Sequence, residues 1–226
     1  MYLFTMEIPI TDSKNATIAK NGIQAERGIC LQQDVKEALE AFFESPIRTI
    51  TQVHGKKNDL TIEFENGVKT TLQNKDGGGG RGWSVDRRPL DCFNVKALNT
   101  LLTSLCIMKG KGTDRPMVPG TVSKDVLNMC MLGDEPPAYF THTTSNKRSK
   151  RIETMGICST DTLMDFMNGG VYETMVPKRT CVHLSPNCYL QRKGGGKTDS
   201  RPDDIQMKIK STDGMMALFR PIFPKP

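Results

Sequence analysis

The chain has 226 residues, a net charge of +6 and 7 cysteines. This length suits one large domain, expected to span 1–226, and the mild basic excess suits a polyanionic partner. No apolar run is long enough to span a membrane, and the start of the chain lacks the basic leader and cleavage site of a secretory signal. An intracellular, cytoplasmic protein is therefore expected. The cysteines, at 30, 92, 106, 130, 158, 181 and 188, are odd in number and several lie in apolar runs, which predicts reduced, mostly buried thiols. A zinc site from His142, Cys181, His183 and Cys188 can be drawn on paper, but the spacing fits no usual structural zinc pattern.

In chain order, residues 2–10 read as a first strand or an extended arm. Residues 22–44 read as one amphipathic helix, with Leu31, Val35, Ala38, Leu39 and Phe42 along a single face. Ser45-Pro46 ends it, because proline disfavours the helical state of the residue before it. Ile47 to Val53 alternates weakly and reads as a strand.

The next segment, 59–75, reads as a hairpin around Asn66-Gly67. A loop of Glu65, Asn66 and Gly67 places Phe64 opposite Val68, Ile62 opposite Thr70 and Leu60 opposite Leu72, all on a core face. A two-residue loop would pair Phe64 with Lys69 and mix the faces, so burial selects the first register. The other face then carries Glu63 with Lys69, Thr61 with Thr71, and Asp59 with Gln73, with Lys75 further along. A carboxylate, an amide and an ammonium thus gather at the open end of the hairpin. Metal-assisted phosphodiester hydrolysis needs such a set. Asp59 is a hard oxygen ligand for Mg²⁺, the Gln73 side-chain oxygen or the Asn74 carbonyl can complete the site, and Lys75 can stabilise developing charge or orient the attacking water. The pattern Asp…Gln-x-Lys is a variant of the Asp…(Asp/Glu)-x-Lys nuclease signature. A surface hairpin with a merely solvated outer face carries the same residue types.

After the hairpin, the glycine run of 77–80 and Gly82 permits unusual backbone angles and close approach of another backbone. Arg81, Trp83, Arg87 and Arg88 follow at once, as if on a flexible basic loop whose indole enters a DNA groove or stacks on a base. A packed anchor is the competing reading of Trp83. Residues 93–108 and 122–132 read as helices, and 110–116 as a connecting loop. Asn146 to Arg151 is a basic loop, solvated or touching phosphates. Thr160 to Asn168 reads as a helix capped by Ser159 or Thr160 and stopped by Gly169-Gly170. Gly196-Lys197-Thr198 suggests a phosphate-binding loop, but Gln191 stands where that motif needs glycine, and the alternating stretch from Ile205 to Lys210 that follows reads as a strand. Two strands joined by a loop rich in Gly, Lys and Arg fit better. From that loop Gln191, Arg192, Lys193 and Lys197 would meet base edges or phosphates.

Taken in order, Ala25-Glu26-Arg27, Asp59, Gln73-x-Lys75, Arg81-Gly82-aromatic, and Gln191-Arg-Lys-Gly-Gly195 followed by Gln206-x-Lys-Ile209 resemble a family. It is the small type II restriction endonucleases that cut four-base palindromes, the HinP-type/MspI group. The resemblance covers about residues 20–90 and 188–210. Residues 91–187 align only loosely, at Gly133 to Pro137 and the basic run after it. It implies an α/β restriction-endonuclease-like core with a mixed central sheet flanked by helices. It also implies Mg²⁺-dependent hydrolysis of double-stranded DNA at a short, GC-containing palindrome, a monomer or weak homodimer, and a cognate DNA methyltransferase. It assigns the metal role to Asp59, a site-shaping role to Gln73, the catalytic role to Lys75, and a place in the site to Glu26, with Glu63 as a competing carboxylate. The glycine run of 77–80 departs from the family pattern. A non-catalytic nucleic-acid-binding protein and a structure-selective repair or recombination nuclease are the alternatives.

Overall fold

A computed structural model describes residues 14–53, 58–77, 82–89, 118–119, 126–131, 136–146, 148–169, 174–175, 177–178, 181–192 and 204–224. The chain begins with two helices, α1 (Lys14–Leu31) and α2 (Gln33–Phe43). Strands β1 (Ile47–Gln52), β2 (Leu60–Phe64), β3 (Lys69–Asp76), β4 (Trp83–Pro89) and β5 (Val118–Pro119) follow. After a helical segment at 126–131 come β6 (Tyr139–Ser145), β7 (Ile152–Ser159) and α3 (Thr160–Asn168). Next are β8 (Thr174–Met175), β9 (Pro177–Lys178), β10 (Cys181–His183), β11 (Cys188–Arg192) and β12 (Asp204–Ile209). The short helix α4 (Asp213–Met216) and strand β13 (Arg220–Phe223) complete the order. The arm at 2–10, the helix at 93–108 and the loop at 110–116 lie outside the described residues. Among the described residues, no helix is long and apolar enough to cross a membrane.

The predicted single helix over 22–44 is two helices. Gln32 leaves the helical region (φ −85°, ψ 117°) between them. Its side chain takes the place of a sheet neighbour. Oε1 accepts from the Ile152 N–H at 2.6 Å and Nε2 donates to the Ile152 carbonyl at 3.5 Å. Val35, Ala38 and Leu39 are buried as the spacing predicts, but Leu31, at the break, is 71% exposed.

Six strands form a mixed sheet in the order β1-β2-β3-β6-β7-β13, in which only the β3–β6 pair is parallel. The hairpin register is the one burial selects. Leu60 pairs with Leu72, Ile62 with Thr70 and Glu63 with Lys69, and the Phe64 N–H donates to the Val68 carbonyl. Gly67 holds φ +81°, a left-handed angle that costs glycine nothing. One expectation fails at the tip. Val68 is 57% exposed, because the hairpin runs past the core before it turns. The face bearing Leu60, Ile62, Phe64 and Leu72 packs under Ala25, Ile29, Val35 and Leu39 of the first two helices.

A second, antiparallel sheet has the order β4-β12-β11-β10-β9. Gln191 lies opposite Gln206, so the two-strand reading of the C-terminal region holds. A second core joins Phe140 and Cys158 of the first sheet to Trp83, Val85, Leu190 and Met207 of the second, with Leu163 and Met167 of α3. That helix starts as predicted, with the Ser159 hydroxyl accepting from the Thr162 N–H, and Gly169 follows its last residue. The five described cysteines are free thiols, and burial pushes those of Cys158 and Cys188 up to about 11.

Trp83 opens β4 instead of riding on a loop. It pairs with Ile209, is 7% exposed, stacks on His142 with ring centroids 5.3 Å apart, and meets Phe219 edge-on. Gly82 makes this possible, since a Cβ there would sit 2.7 Å from the Ile209 carbonyl oxygen. Trp83→Ala is expected to cost about 3–5 kcal/mol, the range for emptying a buried aromatic site. Urea unfolding followed by far-UV circular dichroism measures this, and a loss below about 1 kcal/mol would show the indole to be no anchor.

Candidate active site

The open end of the hairpin collects the predicted groups. Asp59 precedes β2, and its N–H donates to the Leu72 carbonyl, which extends the ladder toward the end of β3. Its carboxylate is oriented by a backbone donor, the Asn74 N–H, at 2.8 Å from Oδ2. Lys75 follows on β3, partly buried. Burial raises the Asp59 pKa above the ordinary carboxylate value, while the Lys75 charge and the Asn74 N–H pull it back. The converse holds at Lys75, where burial lowers the amine and the charges of Asp59 and Glu26 hold it up. Groups 16 residues apart in sequence thus form one coupled pair, with a second carboxylate acting from α1.

Glu26 is positioned by β1. The Gln52 amide donates to its Oε2 at 2.6 Å and to the Ile23 carbonyl at 3.4 Å. Glu63, the competing carboxylate, has another role. It lies at the other end of β2, about 13 Å along the strand at ~3.3 Å per residue. There it bridges Arg48 and Lys69 at 3.1 Å each. The hydrogen bond from Lys69 and its charge, then the charge of Arg48, hold it below the ordinary carboxylate value.

Gln73 departs from the picture of an exposed polar face. It is 8% exposed and lies opposite Phe140, because the second sheet covers this part of the first. Asn74 points the other way and ties β3 to β6. Its Oδ1 accepts from the hydroxyls of Thr141 (2.9 Å) and Thr143 (3.2 Å), which leaves its buried Nδ2 unpartnered among the described residues. Beyond it, Asp76 accepts from Ser145 at 2.9 Å.

The donor set suits a hard cation better than a soft one. Among the described residues no group of three or more His, Cys, Asp or Glu could hold a metal. The zinc drawing also fails on position, since His142 is stacked on Trp83 and His183 lies against Tyr189 on β11. What remains at the hairpin end is the Asp59 carboxylate with neutral oxygens of Gln73 and Asn74 within the same strand pair.

The predicted DNA-contacting residues separate. Trp83 is spent on the core and is not available as a wedge. Arg87 is on β4, where its Nε donates to the buried Asp204 carboxylate at 2.7 Å, an ion pair joining β4 to β12. Arg88 and Arg192 lie on β4 and β11, both opposite Ile205. Gln191 is a partly buried strand residue rather than a loop residue. Arg81, Lys193 and Lys197 lie outside the described residues. The sequence reading missed Gln52 and the Thr141/Thr143 pair, and considered His142 only as a zinc ligand, not as the ring under Trp83. Only the Thr pair left a signal, an unbroken run of polar residues from Thr141 to Ser145 within a strand.

No protein-family model and no curated protein sequence matches the chain. Among solved structures, the chain is similar to restriction endonuclease MspI in complex with its cognate DNA, with a TM-score of 0.48 and 10% sequence identity over 78% of this chain and 77% of that one.

Proposed function

We propose that this chain is a type II site-specific endonuclease that hydrolyses double-stranded DNA at a four-base, GC-containing palindrome with Mg²⁺. The observation that carries this reading is the coupled, partly desolvated Asp59–Lys75 pair on one hairpin end, with Glu26 acting on the same ammonium. Burying charged groups is costly, and perturbed titrating groups beside a cleft are candidates for catalysis. The family resemblance in the order of Asp59, Gln73-x-Lys75 and the basic segments supports it further.

Asp59, the Gln73 amide oxygen and the Asn74 carbonyl would hold the cation, which when bound supplies Lewis-acid activation and a more acidic water. The Asn74 N–H fixes Oδ2 of Asp59, and Oδ1 would be the oxygen offered to the cation. Asp59 and Glu26 favour the protonated form of Lys75 against its burial, and in that form Nζ would present a positive charge to the phosphoryl oxygens and a donor that orients the attacking water. Water gives up a proton to solvent as its oxygen bonds to phosphorus, the bond to the leaving oxygen breaks, and the leaving oxygen takes up a proton from solvent. A monomer or weak homodimer, with a companion methyltransferase that protects host DNA, belongs to the same reading.

Incubation with phage DNA and Mg²⁺ tests it. Discrete fragments are expected. Intact DNA, or cutting confined to branched substrates, contradicts it. Asp59→Ala should lower the cleavage rate at least about 10³-fold, about 4 kcal/mol at the transition state, while metal-free DNA binding survives. Cleavage near the wild-type rate would remove Asp59 from the site. Gln73→Glu places a second carboxylate beside Asp59 in a buried position. In a chelator it should melt lower than the wild type, and Mg²⁺ should raise its melting temperature more than that of the wild type. An equal Mg²⁺ response in both proteins would place Gln73 away from the cation.

A further inference from the structure

Beside Lys75 lies a cavity of about 600 Å³, bounded by Asn21 and Gln24 of α1, Lys75 and Asp76 of β3, Ser145 of β6 and Lys150 of the following turn. This is the size of a small-ligand site, and its polar side chains are set into a lining that is otherwise largely apolar. Asn74 also lines it, carrying the buried Nδ2 that has no partner among the described residues. Asp76 is turned to its own strand neighbours, held by the Ser145 and Thr143 hydroxyls.

The turn that brings Lys150 to the cavity is built with some strain. Lys150 holds φ +61°, a left-handed angle that L side chains rarely adopt. Asn146 enforces it. Its Oδ1 accepts from the N–H groups of Arg148 and Ser149, and its carbonyl accepts from the Lys150 N–H at 2.9 Å. Arg151 is directed elsewhere, to Asp34 at 3.0 Å. The basic run is therefore sorted, with one cation bridging to α2 and another set at the cavity rim. Backbone strain of this kind collects at functional positions.

We propose that this cavity seats the phosphate adjacent to the scissile one on the strand being cut, with Lys150 as its cation and the Asn21 and Gln24 amides as neutral donors. The assignment rests on the endonuclease reading. It gives the enzyme a fixed point one phosphate from Lys75, which sets the strand's register without reading a base.

The test is DNA affinity measured by fluorescence anisotropy across a salt series in a chelator, with wild type, Lys150→Asn and Lys69→Asn. Asparagine tolerates the left-handed angle, so Lys150→Asn keeps the turn. Lys69→Asn removes the same charge from the hairpin tip. Lys150→Asn should weaken binding evenly across sequences and reduce the salt slope by about 1, and Lys69→Asn should leave the slope unchanged. An unchanged slope in Lys150→Asn, or an equal loss in both variants, overturns the assignment. A Lys150-dependent slope without Mg²⁺-dependent cutting by the wild type would sink the endonuclease reading and the scissile strand with it, leaving only a phosphate contact at Lys150. Cutting by the wild type with no Lys150 effect on slope would sink the cavity assignment alone.

Discussion

The register of β3 is the constraint on which the rest depends. This strand is antiparallel to β2 on one side and parallel to β6 on the other, so it joins the hairpin to the remainder of the sheet. Gly67 sets its register against β2, and the Asn74 side chain, accepting from Thr141 and Thr143, sets it against β6. With period two, a slip of one residue would drive Gln73 and Lys75 under α1 and α2 and turn Leu72 toward the second sheet. The same alternation that buries Leu72 beneath the helices therefore delivers Lys75 to Asp59. Fold and site are fixed by one decision.

That decision has an energetic cost. Asp59 is held above its ordinary pKa, so its contribution to stability falls as pH rises from the usual carboxylate range through the raised value. Lys75 is held below its ordinary pKa, so its contribution falls as pH drops from the usual amine range through the lowered value. Burial makes the charged form of each group costly, a cost offset in part by their attraction for each other and by Glu26. Gln52 and Asn74 hold the partners in place by hydrogen bonds, and the two cores on either face of the sheet supply the rigidity.

Local chemistry made part of this legible in the sequence. Strict alternation around Asn66-Gly67 determined the hairpin register, Ser159 and Gly169 marked both ends of α3, and the alternation after Asp204 marked β12. What the sequence did not disclose depends on partners far along the chain. The helix breaks at Gln32 because Ile152, 120 residues away, claims its side chain. Trp83 follows a glycine run that looks like a loop from either side, yet β12 and Phe219 turn it into a core residue. Arg87 looked like a phosphate ligand until Asp204, 117 residues on, took its guanidinium. Gln73 looked exposed because nothing in the hairpin announces the second sheet. The candidate site was legible at Asp59, Gln73 and Lys75 for the same reason as the register, and Glu26 was legible only through the family resemblance.

The most direct measurement of the central claim is the titration of the Asp59 carboxyl by carbon-13 NMR in metal-free protein, in the wild type and in Lys75→Met. Coupling across the hairpin end requires Asp59 to titrate above the ordinary carboxylate range in the wild type, and higher still once the Lys75 charge is gone. An Asp59 that titrates in the ordinary range and does not respond to Lys75→Met would contradict it, because the two groups would then share neither the desolvated environment nor the site.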